Sequence, residues 1–397
     1  MTDQTTDQTT DQATEQATEQ KTSRPLLEVD GVVKRFPVRR GLFGSGAWVH
    51  AVEGVDLTVG RGEVVSLVGE SGSGKSTLGR CVTGMSAPTA GRIRFDGEDI
   101  TGTDGPGGRR TARTARQSFR RRVQPVFQDP RGSLDPRWSV ERTIREPLNA
   151  YRVGTPAERT VRVAELMALV GLGKHLAERR PRELSGGQQQ RVAIAAALAL
   201  GPDLIVADEP VSALDVSVQA QILNLLAELR SELGVALLFI AHDLSVVEHI
   251  SDRVAVMYLG RIVETGTVAE IFSRPRHPYT RALIDSIPRP DPAQRMSAVR
   301  LTGEIPSPVT PPSGCRFHPR CPVAVDRCAT HEPPTVTFGP GHRADCHVLT
   351  DADAAHPAVR PAAPFTAADP AALLTAADPA APAQPAIHRA APSKEMS

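Results

Sequence analysis

The stretch Gly69-Glu70-Ser71-Gly72-Ser73-Gly74-Lys75-Ser76-Thr77 constrains this chain more than any other. It satisfies G-x-x-x-x-G-K-[ST], and its flanks matter as much as the match. Val64-Val65-Ser66-Leu67-Val68 before it reads as a buried strand, and Leu78-Gly79-Arg80-Cys81-Val82 after it can continue as a helix. That context marks a phosphate loop and disfavours a merely flexible glycine turn. Glycines let backbone N–H groups converge on an anion, and the helix N-terminus adds the positive end of its dipole. Lys75 is expected to reach the β- and γ-phosphates, and the Ser76 hydroxyl to ligate Mg²⁺. Gly69, Ser71, Gly72, Gly74, Lys75, Ser76 and Thr77 are the expected cradle of a nucleoside triphosphate.

The rest of the chain supplies partners for that loop. Leu204-Ile205-Val206-Ala207-Asp208-Glu209 is an apolar run ending in two carboxylates, and Ala236 to Ala241 is another, ending at His242. Strand patterns also cover residues 26–29, 49–59 and 123–130, with helical patterns between, notably Gln189–Leu200 and Ile222–Leu233. Strands alternating with helices and carrying polar residues at their ends predict a parallel α/β sheet with ligands at its carboxyl edge. Asp208 then fits the acidic group behind Mg²⁺, a hard cation that takes oxygen donors. Glu209 fits a general base aimed at the attacking water. The competing reading is a solvated acidic strand end.

Bulk properties exclude several classes. The 46 Lys and Arg against 45 Asp and Glu give a net charge of +1, so no global field favours nucleic acid. An arginine-rich stretch at 102–122 includes Arg113, Arg116 and Arg120, which could share a helix face and read best as solvated. No run of eighteen apolar residues exists, and the N-terminus lacks an apolar signal core, so a cytosolic chain is expected. Residues 2–21 are a degenerate TDQT-type repeat, and the chain from Asp351 is alanine- and proline-rich with TAADPAA twice. Neither can bury a core, so both are expected to be disordered.

An ordered set of motifs across residues 26 to about 275 resembles the ATP-binding subunit of an ATP-binding-cassette (ABC) transporter. Gly69–Thr77 resembles Walker A, Gln128 the Q-loop glutamine, Leu204–Glu209 Walker B, Ser212–Asp215 the D-loop and His242 the switch histidine. Leu184-Ser185-Gly186-Gly187-Gln188 reads LSGGQ, which separates this family from other P-loop ATPases. Ser185, Gly186 and Gly187 also put a hydroxyl and bare N–H groups at a helix start, a second anion site. The resemblance implies a P-loop, ABC-type α/β domain with a helical subdomain, and a head-to-tail dimer sandwiching two ATPs. It makes Glu209, His242 and Gln128 catalytic, and Ser76, Gln128 and Asp208 the Mg²⁺ group. Ser185, Gly186, Gly187 and Gln188 become nucleotide contacts. It also asks for an aromatic platform under the adenine; Phe36 is the first choice and Trp48 the alternative.

Phe127-Gln128-Asp129-Pro130-Arg131-Gly132-Ser133-Leu134-Asp135-Pro136, His277–Leu283 and Gly314–Pro322 are similar to segments of di- and oligopeptide importer ATPases. That implies import powered by ATP hydrolysis at the cytoplasmic membrane face. The implied partners are a second ATPase subunit (a paralogue or the chain itself), two integral membrane permeases and an extracytoplasmic solute-binding protein. Nickel or another small solute is the alternative cargo, and a non-transport ABC ATPase or a cysteine-rich metal sensor are more distant readings. The expected divisions are a disordered tail at 1–23, the ATPase domain at 24–285, a Cys-rich extension at 286–349 and a disordered tail at 350–397.

Cys315, Cys321, Cys328 and Cys346 are separated by five, six and seventeen residues, leaving Cys81 alone. These spacings match neither zinc knuckles nor ferredoxin runs, so zinc, a [4Fe–4S] cluster and free thiols all stay open. The resemblance implies the [4Fe–4S] cluster, because importer ATPases with this extension include members that bind one. His318, His331, His342 and His347 are spare ligands that keep Zn²⁺ in view.

Overall fold

The computed structural model describes residues 24–38, 46–101, 111–287 and 303–349. The expected disordered tails lie outside these residues, as do most of the glycine-rich insertion before residue 46 and the first part of the arginine-rich stretch. The described residues all fall in one compact unit.

Among the described residues twelve strands run in chain order: β1 Leu27–Val38, β2 Ala47–Val59, β3 Val64–Val68, β4 Ala90–Phe95, β5 Glu98–Asp99 and β6 Val123–Val126, then β7 Leu204–Asp208, β8 Ala236–Ala241, β9 Arg253–Tyr258, β10 Arg261–Thr267, β11 Thr335–Gly339 and β12 His342–Asp345. They form two sheets, one ordered β2-β1-β4-β5 and one ordered β11-β12-β10-β9-β3-β8-β7-β6. The centre of the larger sheet is parallel, with β3 between β8 and β9, and β7 between β6 and β8. β3 and β8 are buried along their whole length, which is why they read as unbroken apolar runs.

The expectation of a parallel sheet holds only for that centre. β9 and β10 form a hairpin whose two turn residues, Leu259 (φ 43°) and Gly260 (φ 86°), are both left-handed, the mirror-image turn that matches strand twist. β12 then pairs antiparallel with β10, and β11 with β12, so residues beyond 330 extend the sheet. The smaller sheet is antiparallel throughout.

Helices Val140–Ala150, Pro156–Leu169 and Gly186–Leu198 form the helical subdomain. Thr155 and Glu158 close a capping box at the start of the second. Val163, Leu166, Met167 and Val170 are buried as their spacing predicts, whereas Val161, grouped with them on sequence, is 60% exposed. The arginine-rich stretch ends in a helix, Thr111–Arg122. The four-residue strand β6 is shorter than the 123–130 pattern because the chain turns into a short helix at Pro130.

Candidate nucleotide site

Four neighbouring parallel strands deliver the site. In the order β3, β8, β7, β6 they end respectively at the phosphate loop, His242, Glu209 and the segment carrying Gln128. This is the carboxyl edge where open α/β sheets bind ligands.

The loop is shaped by two glycines that tolerate no side chain. A Cβ on Gly69 (φ 151°) would lie 2.1 Å from the Met257 carbonyl oxygen, and one on Gly74 (φ 108°) 2.1 Å from that of Ala51. Both contacts are with backbone, which cannot swing aside. The helix Lys75–Val82 starts at Gly74 with no side-chain cap, so its first N–H groups stay free for an anion. Ser71 and Gly72 are exposed at the tip, and Thr77 is half-buried.

Lys75 is buried, and its Nζ donates to the Gly69 carbonyl at 2.7 Å and the Glu70 carbonyl at 2.9 Å. Desolvation lowers its pKa, opposed by the nearby Glu209, Asp208 and Glu70 carboxylates. Ser76 Oγ donates to Asp208 Oδ1 at 2.9 Å, joining the loop to the end of β7. Burial raises the Asp208 pKa, the Ser76 bond opposing it. A hydroxyl beside a carboxylate at the mouth of a phosphate cradle is the hard-oxygen set that fits Mg²⁺.

Glu209 follows β7 with a left-handed backbone, φ 46°, uncommon for a residue with a side chain. Its N–H donates to the Ile240 carbonyl at 2.9 Å, fixing that turn. Its Oε2 accepts from Gln128 Nε2 at 2.8 Å and lies 3.1 Å from His242 Nδ1. The three residues expected to be catalytic therefore meet on one carboxylate.

The LSGGQ residues stand elsewhere. Ser185 caps the helix Gly186–Leu198, accepting from the Gln188 N–H, while Gln188 Oε1 accepts from the Ser185 N–H at 3.0 Å. Ser185, Gly187 and Gln188 line a separate cleft of about 430 Å³ with Gly173, His175 and Arg191. No hydrogen bond joins them to the phosphate loop among the described residues. Phe36 and Trp48 are 40% and 48% exposed on neighbouring positions of the β1–β2 pair, whose Ala51 touches the loop.

The four late cysteines gather in one segment. Cys315, Cys328 and Cys346 are buried and Cys321 half-buried; burial pushes the thiols of Cys315 and Cys346 up, and that of Cys321 up to about 11. Yet among the described residues no group of three or more His, Cys, Asp or Glu is placed to hold a metal ion. The arrangement thus does not support the iron–sulfur or zinc expectation. The histidines named as spare ligands have other partners: His318 the Cys315 carbonyl, His347 the His331 carbonyl, His342 the Glu264 carboxylate, and His331 the Thr330 hydroxyl.

Sequence reasoning missed what holds the loop from behind. The side chains of Tyr279 and Arg320 reach Glu70, the former by bonding the Glu70 N–H at 2.9 Å. No spacing rule links positions so far apart.

Residues 52–212 match the ABC transporter family, and residues 263–328 match the oligopeptide/dipeptide transporter C-terminal region. With the phosphate loop, strand-end carboxylates and LSGGQ helix in place, the chain belongs to the ABC transporter ATP-binding proteins and is an ATPase that uses ATP and Mg²⁺. Within that family it is 51% identical over 335 residues to a Sinorhizobium fredii protein named "probable peptide ABC transporter ATP-binding protein", covering 84% of this chain and 93% of the relative. It is 47% identical over 328 residues to the oligopeptide transport ATP-binding protein AppF of Bacillus subtilis, covering 82% of this chain and 98% of AppF. It is 47% identical over 311 residues to the dipeptide transport ATP-binding protein DppF of Haemophilus influenzae, covering 78% and 93%. Among solved structures, a dimeric post-hydrolysis ATP-binding cassette, MJ0796 with ADP and Pi, superposes with a TM-score of 0.53 at 31% identity, covering 61% of this chain and 98% of that one.

Proposed function

We propose that this chain is the ATP-hydrolysing subunit of an importer of di- and oligopeptides. The observation that carries the reading is the match of residues 263–328 to the oligopeptide/dipeptide C-terminal region, which the relatives' names support. Nickel or another small solute is the alternative cargo. No helix among the described residues is long and apolar enough to cross a membrane, so the pathway would come from two permease subunits. The chain would sit at the cytoplasmic face, supplied by an extracytoplasmic solute-binding protein. The division at residues 285 and 286 is likewise part of this proposal.

In the reaction the free N–H groups of the phosphate loop bind the triphosphate, with Phe36 (or Trp48) under the adenine. Lys75 leaves the two loop carbonyls for the β- and γ-phosphates, exchanging neutral acceptors for charged ones. Ser76, with Asp208 and Gln128 nearby, would hold Mg²⁺, which would supply positive charge against the charge developing on the phosphates. Glu209 accepts the proton of the attacking water, and His242 and Gln128 hold its carboxylate in place. Ser185, Gly187 and Gln188 face a cleft of their own, so with Gly186 they would serve a nucleotide on a second ATPase subunit, a paralogue or another copy. The dimeric MJ0796 cassette supports that arrangement.

For the cysteines we keep a [4Fe–4S] cluster, with zinc second, as a structural proposal; the thiols would have to turn onto the metal from their present positions. Anaerobically purified protein should be brown with about four irons per chain; colourless protein with one zinc would reject the cluster, and metal-free protein both. The import reading is tested by co-purification with the permeases and peptide uptake in their presence. Gln128 follows β6 where the chain turns into the helical stretch, so it would also couple the site to the permeases: Gln128→Ala should reduce uptake more than nucleotide affinity, and equal loss of both would reject that role.

A further inference from the structure

The segment after the ATPase motifs reaches back onto the phosphate loop at one residue. Glu70, the second residue of the loop, is held by both backbone and side chain. Its N–H donates to Tyr279 Oη at 2.9 Å. Its carboxylate accepts a fork from Arg320, Nη1 to Oε2 at 2.7 Å and Nη2 to Oε1 at 3.0 Å, across 250 residues of sequence. The Arg320 side chain is 5% exposed and that of Glu70 23%, so the pair is largely shielded from water. Behind the fork, Tyr258, Tyr279 and Phe317 pack edge to face or tilted, with ring centres 4.7, 5.2 and 5.4 Å apart. Arg320 Nη1 also lies 3.4 Å from Tyr258 Oη, while its Nε is buried without a partner, so the fork is the main satisfaction of a buried cation.

We propose that Arg320 is a positioning residue for ATP binding: it neutralises the Glu70 carboxylate beside the triphosphate site and pins the loop whose carbonyls hold Lys75. Two physical effects act together. An unpaired Glu70 would present a like charge to the incoming phosphates in a partly desolvated place, where charges are poorly screened. Glu70 also supplies, through its carbonyl, one of the two oxygens that hold Lys75 Nζ, so displacing Glu70 displaces the lysine. Arg320 directly precedes Cys321 and lies between Cys315 and Cys328 in the chain, so the thiol segment and the phosphate loop are joined through one ion pair.

The test is steady-state ATP hydrolysis by the full chain in its assembled complex, with kcat and KM separated. Arg320→Ala should raise KM for ATP about tenfold with kcat within about twofold. Adding Glu70→Gln to Arg320→Ala should return KM to within about threefold of wild type, because the neutral amide no longer repels phosphate. Should Arg320→Ala not yield folded protein, Arg320→Lys keeps the charge but loses the fork. It should then raise KM about threefold, again relieved by Glu70→Gln. An unchanged KM, or a raised KM that Glu70→Gln leaves in place, would overturn the assignment and leave Arg320 a packing residue of the C-terminal segment.

Discussion

Lys75 and His277 show how burial sets the chemistry of single side chains here. Lys75 gives up water for two loop carbonyls, so replacing it removes a buried cation from the foot of the phosphate loop. Lys75→Ala should weaken ATP binding by roughly 10- to 100-fold, the scale of a charge-assisted contact, as read by titration with a fluorescent nucleotide. His277 is enclosed at the start of the helix Pro278–Asp285, where its Nδ1 accepts the Tyr279 N–H at 3.1 Å. Desolvation lowers its pKa from 6.5 to about 4, the charge of Glu264 opposing. The folded chain therefore keeps it neutral while the unfolded chain binds a proton between those values, so its contribution is complete above pH 6.5 and is lost as pH falls toward 4. The loss amounts to about 3 kcal/mol. Denaturant midpoints followed from pH 7 down to pH 4 should fall less steeply for His277→Asn, which can still cap the helix. Equal slopes would show that other groups carry the acid sensitivity.

At the scale of elements, motifs were legible where one strand and its following turn hold all the information. Val64–Thr77, Leu204–Glu209 and Ala236–His242 each put an apolar run and its polar end within a few residues, and the structure places them side by side. The Gly186–Leu198 helix was legible for the same reason, its cap being Ser185. Ser185→Ala should cost about 1 kcal/mol of stability through the lost cap, in addition to any effect on nucleotide. Gly74→Ala should be far worse, abolishing ATP binding, because its methyl meets the Ala51 carbonyl and its φ of 108° is closed to side chains. A Gly74→Ala protein binding ATP normally would mean that the loop differs from this geometry. What was not legible depends on pairing at long range. β11 and β12 are short and polar, and their place beside β10 is decided by a partner some eighty residues earlier, Glu264 opposite Ala344. The Leu259-Gly260 turn gives little warning because leucine rarely takes a left-handed backbone.

For the whole molecule, the geometry divides the work between two surfaces. The phosphate loop, Glu209, Gln128 and His242 share one strand edge, while Ser185 and its helix open on another cleft. The Arg320–Glu70 pair binds the C-terminal segment to the first of these surfaces. We propose that hydrolysis runs through Glu209 at that shared edge. Its most direct measurement is single-turnover conversion of bound radiolabelled ATP to ADP by the purified complex, wild type against Glu209→Gln. The variant should retain ATP and convert it about 10²–10⁴-fold more slowly, the usual loss with a general base. Conversion at the wild-type rate with ATP bound would contradict it.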